Sequence, residues 1–189
     1  MLISGREASA ELAEAGISER RARRALACGL AGPPIRTRAA HLYDATHVRE
    51  LGERRIVWSA EMERRCPDGY FLSRRALQVD VDREVLLHEL SVVPDGMSPW
   101  TRTWLSLRGE LCGGVPFVAT VAGFVVHGAD LVGIRGGQMH LADPGTWFEG
   151  LADAQLGSSL GRTWTIVAPR RGMAARVAAV RSPTGLPVR

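Results

Sequence analysis

The sequence predicts an α+β protein in two parts: an N-terminal unit of helices and a hairpin over residues 1–54, then a mixed α+β domain with a largely antiparallel sheet over residues 55–168. A basic tail follows at residues 169–189. Three observations predict this. Helix-starting and helix-ending residues punctuate the first 54 positions, and beyond residue 55 the texture turns to short β-branched and aromatic runs. The charge changes with them: residues 1–75 carry 14 Arg against 10 Asp and Glu, residues 76–168 carry 5 against 10, and residues 169–189 carry 5 against none. Basic ends around an acidic middle put the work of meeting an anion outside the middle.

Ser4 followed by Glu7 is a capping box, with Ile3 and Ala8 as its hydrophobic staple. A first helix starts there, with Ala8, Leu12 and Ala15 recurring at helical spacing, and ends at Gly16. Ser18 is a good N-cap two residues later, so a second helix follows a very short turn and ends at Gly29. After "GPP" at 32–34, "IRTRAAHLY" has the composition of a short hairpin, and Asp44 caps a third helix with Ala45, Val48 and Leu51 on one side.

In the second part, residues 69–75 and 76–82 are strand candidates, and a helix begins at Asp82. Another runs over residues 98–111 with Ser98 as N-cap and Pro99 at its first position; Trp100, Trp104 and Leu107 share one face. Residues 117–126 have the apolar content of a buried strand, "LVGIR-GG-QMHLA" is a hairpin with a two-glycine turn, and residues 162–169 form a last strand. The apolar stretch 115–134 holds His127 and Asp130 and is rich in β-branched residues, which fits strands better than a membrane span. The tryptophans Trp100, Trp104, Trp147 and Trp164 are expected to fill the core of this domain.

The second helix carries the strongest functional signal. With roughly 100° per residue, Arg20, Arg21, Arg23 and Arg24 take one side and Ala22, Ala25 and Leu26 the other. Four like charges in five residues, with only Glu19 to offset them, repel one another, and a polyanion relieves that repulsion. Two helices joined by a short turn, the second one basic, is the helix-turn-helix layout, whose second helix enters the major groove. Arg36, Thr37, Arg38 and His41 then fall in the hairpin, where a wing reaches a phosphate or the adjacent groove. The expected DNA-binding set is therefore Ser18, Arg20, Arg21, Arg23, Arg24, Arg36, Thr37, Arg38 and His41.

Residues 3–51, with "GL", then "P", "R" and "LYD" leading into a capped helix with "VREL", resemble the winged helix-turn-helix of the MerR and excisionase-like superfamily. The resemblance implies a recognition helix over residues 18–24, a wing over residues 36–38, and Tyr43 packing the wing onto the core. It ends at Leu51: a long dimerisation helix does not follow, and "GERRIVW" takes its place.

Other chemistries find no support in the residues. "HEL" at 88–90 has Val92 where a zinc-protease motif needs its second histidine, and the glycines at 133–137 fit neither a dinucleotide nor a P-loop pattern. No nucleophile elbow is present, so no catalytic residue, metal ligand or cofactor is expected. Cys28 closes the arginine helix and is expected as a small buried residue. Three widely spaced cysteines and no charged leader before an apolar run point to a reducing, cytoplasmic setting. The expected partners are double-stranded DNA and a second copy of the chain, since one small winged helix reads only a few base pairs. A transcriptional regulator is the first expectation. The alternatives are a small-ligand or enzymatic second domain, with an effector binding there, and an excisionase-like architectural protein that bends DNA.

Overall fold

The computed structural model describes residues 1–157 and 162–168. The expected tail at 169–189 lies outside the described residues. The fold is mixed α+β, with six α-helices and two sheets among the described residues.

In the N-terminal unit, β1 (Leu2–Ser4) leads directly into α1 (Gly5–Glu14) through the expected capping box: Ser4 Oγ accepts from Glu7 N at 3.2 Å, and Ser4 N donates to Glu7 Oε2 at 2.8 Å. Gly16, at φ +83°, turns the chain out of α1, and Ile17 N donates back to Leu12 O at 3.0 Å. The turn is held from below because Ile17 itself is buried. Helix α2 (Glu19–Ala27) follows, then the hairpin strands β2 (Ile35–Arg36) and β3 (His41–Asp44), and α3 (Ala45–Gly52), whose first turn is capped by Asp44 Oδ1 on Thr46 N. Leu12, Ile17, Leu26, Val48 and Leu51 form one core with Tyr43. The small sheet has the order β1-β3-β2, all antiparallel. The pairing of β1 with β3 was not expected, and it makes the hairpin three-stranded.

The larger sheet runs β10-β5-β6-β7-β9-β4, with β8 added beside β7. Its strands are β4 (Ile56–Val57), β5 (Tyr70–Arg75), β6 (Val115–Val121), β7 (Phe124–Arg135), β8 (Gln138–Ala142), β9 (Gln155–Leu156) and β10 (Trp164–Val167). Most pairs are antiparallel; β5–β6 and β4–β9 are parallel. Both faces are covered, so the strands alternate between two cores rather than between core and water. Helices α5 (Arg83–Ser91) and α6 (Pro99–Cys112) cover one face, over Phe71, Phe117, Ala129 and Leu131. Helix α4 (Ser59–Arg65) and a 3-10 turn at Thr146–Phe148 cover the other, over Tyr70, Leu72, Val118 and Val125.

Three expectations need correction, and one helix went unexpected. Residues 76–82 form no strand: Val79 N donates to Cys28 O at 2.9 Å and Gln78 Nε2 to Ala27 O at 2.9 Å, so this segment binds the backbone at the end of α2. Residues 117–126 are not one strand, because Ala122 (φ +50°) and Gly123 (φ +85°) make a two-residue turn between β6 and β7. Helix α4 was not foreseen. The tryptophans do not share a core: Trp147 and Trp164 pack on opposite faces of the sheet, and Trp100 stands in solvent.

The two parts are joined by more than the chain. Phe124, first residue of β7, is fully buried in the core of the N-terminal unit, with Ala122 packed beside it. The β6–β7 turn is thus a wedge driven from the larger sheet into the smaller unit.

Candidate nucleic-acid interface

Helix α2 packs through Ala22, Ala25 and Leu26, all buried. Two alanines bring its backbone close to α1, and every arginine is thereby left on a side that faces another element or water. The four then divide according to where each points.

Arg21 turns toward the larger domain. Its Nε donates to Ala122 O at 3.0 Å, and its guanidinium carbon lies 5.9 Å from the centre of the Phe124 ring. Burial pushes its pKa down from the usual guanidinium range, and its Nη2 is buried with no hydrogen-bond partner. Arg54 approaches the same ring, at 5.8 Å. Two guanidiniums on one ring make Phe124 a cation–π hub as well as a core residue. Arg23 turns the other way, toward the hairpin, and pairs with the exposed Glu19 one helical turn back. Between these two, Arg20 and Arg24 point outward and are exposed. No described residue forms a hydrogen bond or ion pair with either guanidinium.

Arg36 and His41 face each other in register across β2 and β3, and Arg38 stands exposed at the tip. Thr37 shapes that tip. Its hydroxyl donates to Ala40 O at 2.8 Å and accepts from the backbone N–H groups of Ala39 and Ala40, at 3.3 and 3.0 Å. This threonine is committed to the turn rather than held free for a ligand. Tyr43, from the next strand, is buried and fixes the hairpin to the core, as expected. Ser18 occupies the N-cap position of α2, but its side chain makes no cap bond; only its backbone carbonyl does, accepting from Ala22 N at 2.9 Å. Its hydroxyl remains exposed at the start of the helix.

A groove of about 270 Å³ separates α2 from the hairpin, lined by Arg23, Leu26 and Ala27 on one wall and by Pro34, Arg36, His41 and Tyr43 on the other. Gln78 and Asp80, from the segment bound to the end of α2, close it. Nothing in the sequence pointed to them, because their position depends on a contact across some fifty residues. The Asp80 carboxylate occupies the space above Gly29, where a Cβ would come within 2.6 Å of Asp80 Cγ. A carboxylate beside a helix C-terminus opposes the helix dipole, so its place there is not explained by α2 stability.

Cys28 is buried at the C-cap of α2. Burial pushes its thiol up, Arg24 pulls it down, and Asp80 pushes it up again. The net direction keeps the sulfur protonated and unreactive, as a packing residue should be.

The sequence-expected site residues therefore fall into four groups. Arg23, Arg36 and His41 line the groove and Ser18, Arg20, Arg24 and Arg38 are exposed; Thr37 shapes the hairpin tip; Arg21 turns to the interface between the two parts. A second cavity, of about 180 Å³, lies between α4 and the sheet and is lined by Val57, Met62, Tyr70, Leu72, Leu156 and Val167, with Ser59, Glu63 and Arg74 at its edge. It is below the roughly 300 Å³ at which small-molecule sites begin. Among the described residues no helix is long and apolar enough to cross a membrane. Comparison with protein-family models, with curated proteins and with solved structures finds no match in any of the three.

Proposed function

We propose that the N-terminal unit is a winged helix-turn-helix that binds duplex DNA, with α2 as the recognition helix and the β2–β3 hairpin as the wing, in a protein that regulates transcription. One observation carries the reading: Arg20 and Arg24 stand on the outward face of α2 with no ionic partner among the described residues, between a basic hairpin on one side and the β6–β7 turn on the other. A helix needs a free stripe of this width to enter a groove. Elements on either side restrict how it can tilt there.

The division of the arginines supports a division of labour. Arg20 and Arg24 reach base edges or the phosphates lining the major groove; Arg23, Arg36 and Arg38 hold the backbone beside it; the Ser18 hydroxyl is placed for a phosphate at the helix start. Arg21 reads nothing and instead ties the recognition helix to the second domain.

The test is selection of bound fragments from a random duplex pool at near-physiological salt. Enrichment of a motif is expected, with half-sites about one helical turn apart if two copies bind together. A protein that retains no duplex under these conditions, or retains all sequences alike, does not do what is proposed.

A further inference from the structure

Helix α6 is apolar on the side that faces away from the sheet. With roughly 100° per residue, Trp100, Trp104, Leu107 and Leu111 fall within about 60° of one another, and Leu105 and Gly109 lie opposite. The second pair makes the contact with the fold. Leu105 is fully buried, and α6 sits so close to β7 that a Cβ on Gly109 would lie 2.6 Å from Leu131 O. The first set is exposed: Trp100 by 77%, Trp104 by 38%, Leu107 by 53% and Leu111 by 72%. Arg108 flanks the stripe, its guanidinium carbon 5.2 Å from the centre of the Trp104 ring.

We infer that this stripe is the surface through which two copies of the chain associate, α6 against α6 and antiparallel. The spacing of four, three and four residues is the repeat of a seam between paired helices, and a seam is complementary to itself about a two-fold axis. Side chains of this size at these exposures leave on the order of 500 Å² of apolar surface in water per chain, at the upper end for a monomer. Two such patches together bury about 1,000 Å², the lower bound for a specific interface. Direction follows from volume. Antiparallel pairing sets Trp100 against the partner's Leu111 and Trp104 against the partner's Leu107, large against small, whereas parallel pairing sets indole against indole. The inference does not rest on the reading of the arginine helix.

Sedimentation of the full chain across about 1–100 µM tests it. A rise from the 20.5 kDa monomer to twice that mass is expected. The variant Leu107→Glu with Leu111→Glu should stay monomeric throughout and, because both side chains are exposed, melt as the parent does at low concentration. A spin label on Cys112, the exposed cysteine of the three, reports direction: the antiparallel pair places two labels about 20 Å apart along the helix axis, the parallel pair at the same level. A full chain that is monomeric at every concentration overturns the proposal, whether its own C-terminal residues cover the stripe or nothing does. So does a variant that dimerises as well as the parent, and two labels at one level overturn the antiparallel arrangement.

Discussion

Replacing Arg20 and Arg24 together by alanine removes two guanidiniums from the outer face of α2 and touches no described hydrogen bond or ion pair. If both neutralise phosphates, each contributes about 0.9 to the slope of log affinity against log salt, so the double variant should lose about 1.8 from that slope. Between about 50 and 200 mM salt the parent's advantage over the variant then shrinks about twelvefold. Thermal stability should not fall, since both side chains are exposed and four crowded like charges become two. Arg21→Ala is the paired control. It loses the hydrogen bond to Ala122 O and the contact with Phe124, which together stabilise by about 1–2 kcal/mol, and it leaves the salt slope as it was. The assay is anisotropy of a short labelled duplex over a salt titration, with melting curves alongside. A double variant with the parent's slope would refute the assignment of α2 as the DNA-reading helix. An Arg21 variant whose slope falls as far would refute the division between outward and inward arginines.

Three further outcomes follow from the geometry. Asp80→Asn keeps the packing over Gly29 and removes a negative charge from the groove between α2 and the hairpin; duplex affinity should rise about twofold at low salt, with the gain vanishing at high salt, and an unchanged anisotropy titration would place the DNA elsewhere. Ser4→Ala removes the hydroxyl that accepts from Glu7 N, leaving the backbone N–H of residue 4 to donate to Glu7 Oε2, and should lower stability by about 1 kcal/mol in a urea melt without moving the salt slope of DNA binding. Burial pushes the Cys66 thiol from its ordinary 9.0 up to about 12, so the folded state holds its proton where the unfolded chain has lost it; stability from this group is present below pH 9 and declines from there toward pH 12. In native protein at pH 9 an alkylating reagent should modify Cys112 and spare Cys66, a pattern that mass spectrometry of the digested protein reads directly.

What was legible in the sequence was whatever chemistry is local. Ser4 with Glu7, Gly16, Gly29, Asp44, Ser98 with Pro99, and the Gly136–Gly137 turn each act within a few residues of chain, and each was found where it was expected. The features missed either depend on contacts across the chain or carry no local signal. Strand β1 is three residues long and exists because β3 lies beside it; residues 76–82 alternate like a strand, but their partner is the end of a helix. Helix α4 starts after Trp58, which offers no capping side chain, so no local signal announces it. Within the candidate site, wheel geometry separated arginines from alanines but could not separate Arg21 from Arg20, because the difference is made by Ala122 and Phe124, a hundred residues away. The outward tryptophans of α6 mislead for the opposite reason: large aromatic residues at helical spacing signal burial, and the helix buries its small side instead.

Phe124 also sets the terms on which this protein can be taken apart. A fragment ending at residue 54 would retain all three helices and the hairpin yet lack the ring that completes their interior, a deletion comparable to Phe→Ala in a packed core, about 3–5 kcal/mol. Grafting the arginine helix and its hairpin onto another scaffold would require a substitute aromatic to be supplied in place of that plug.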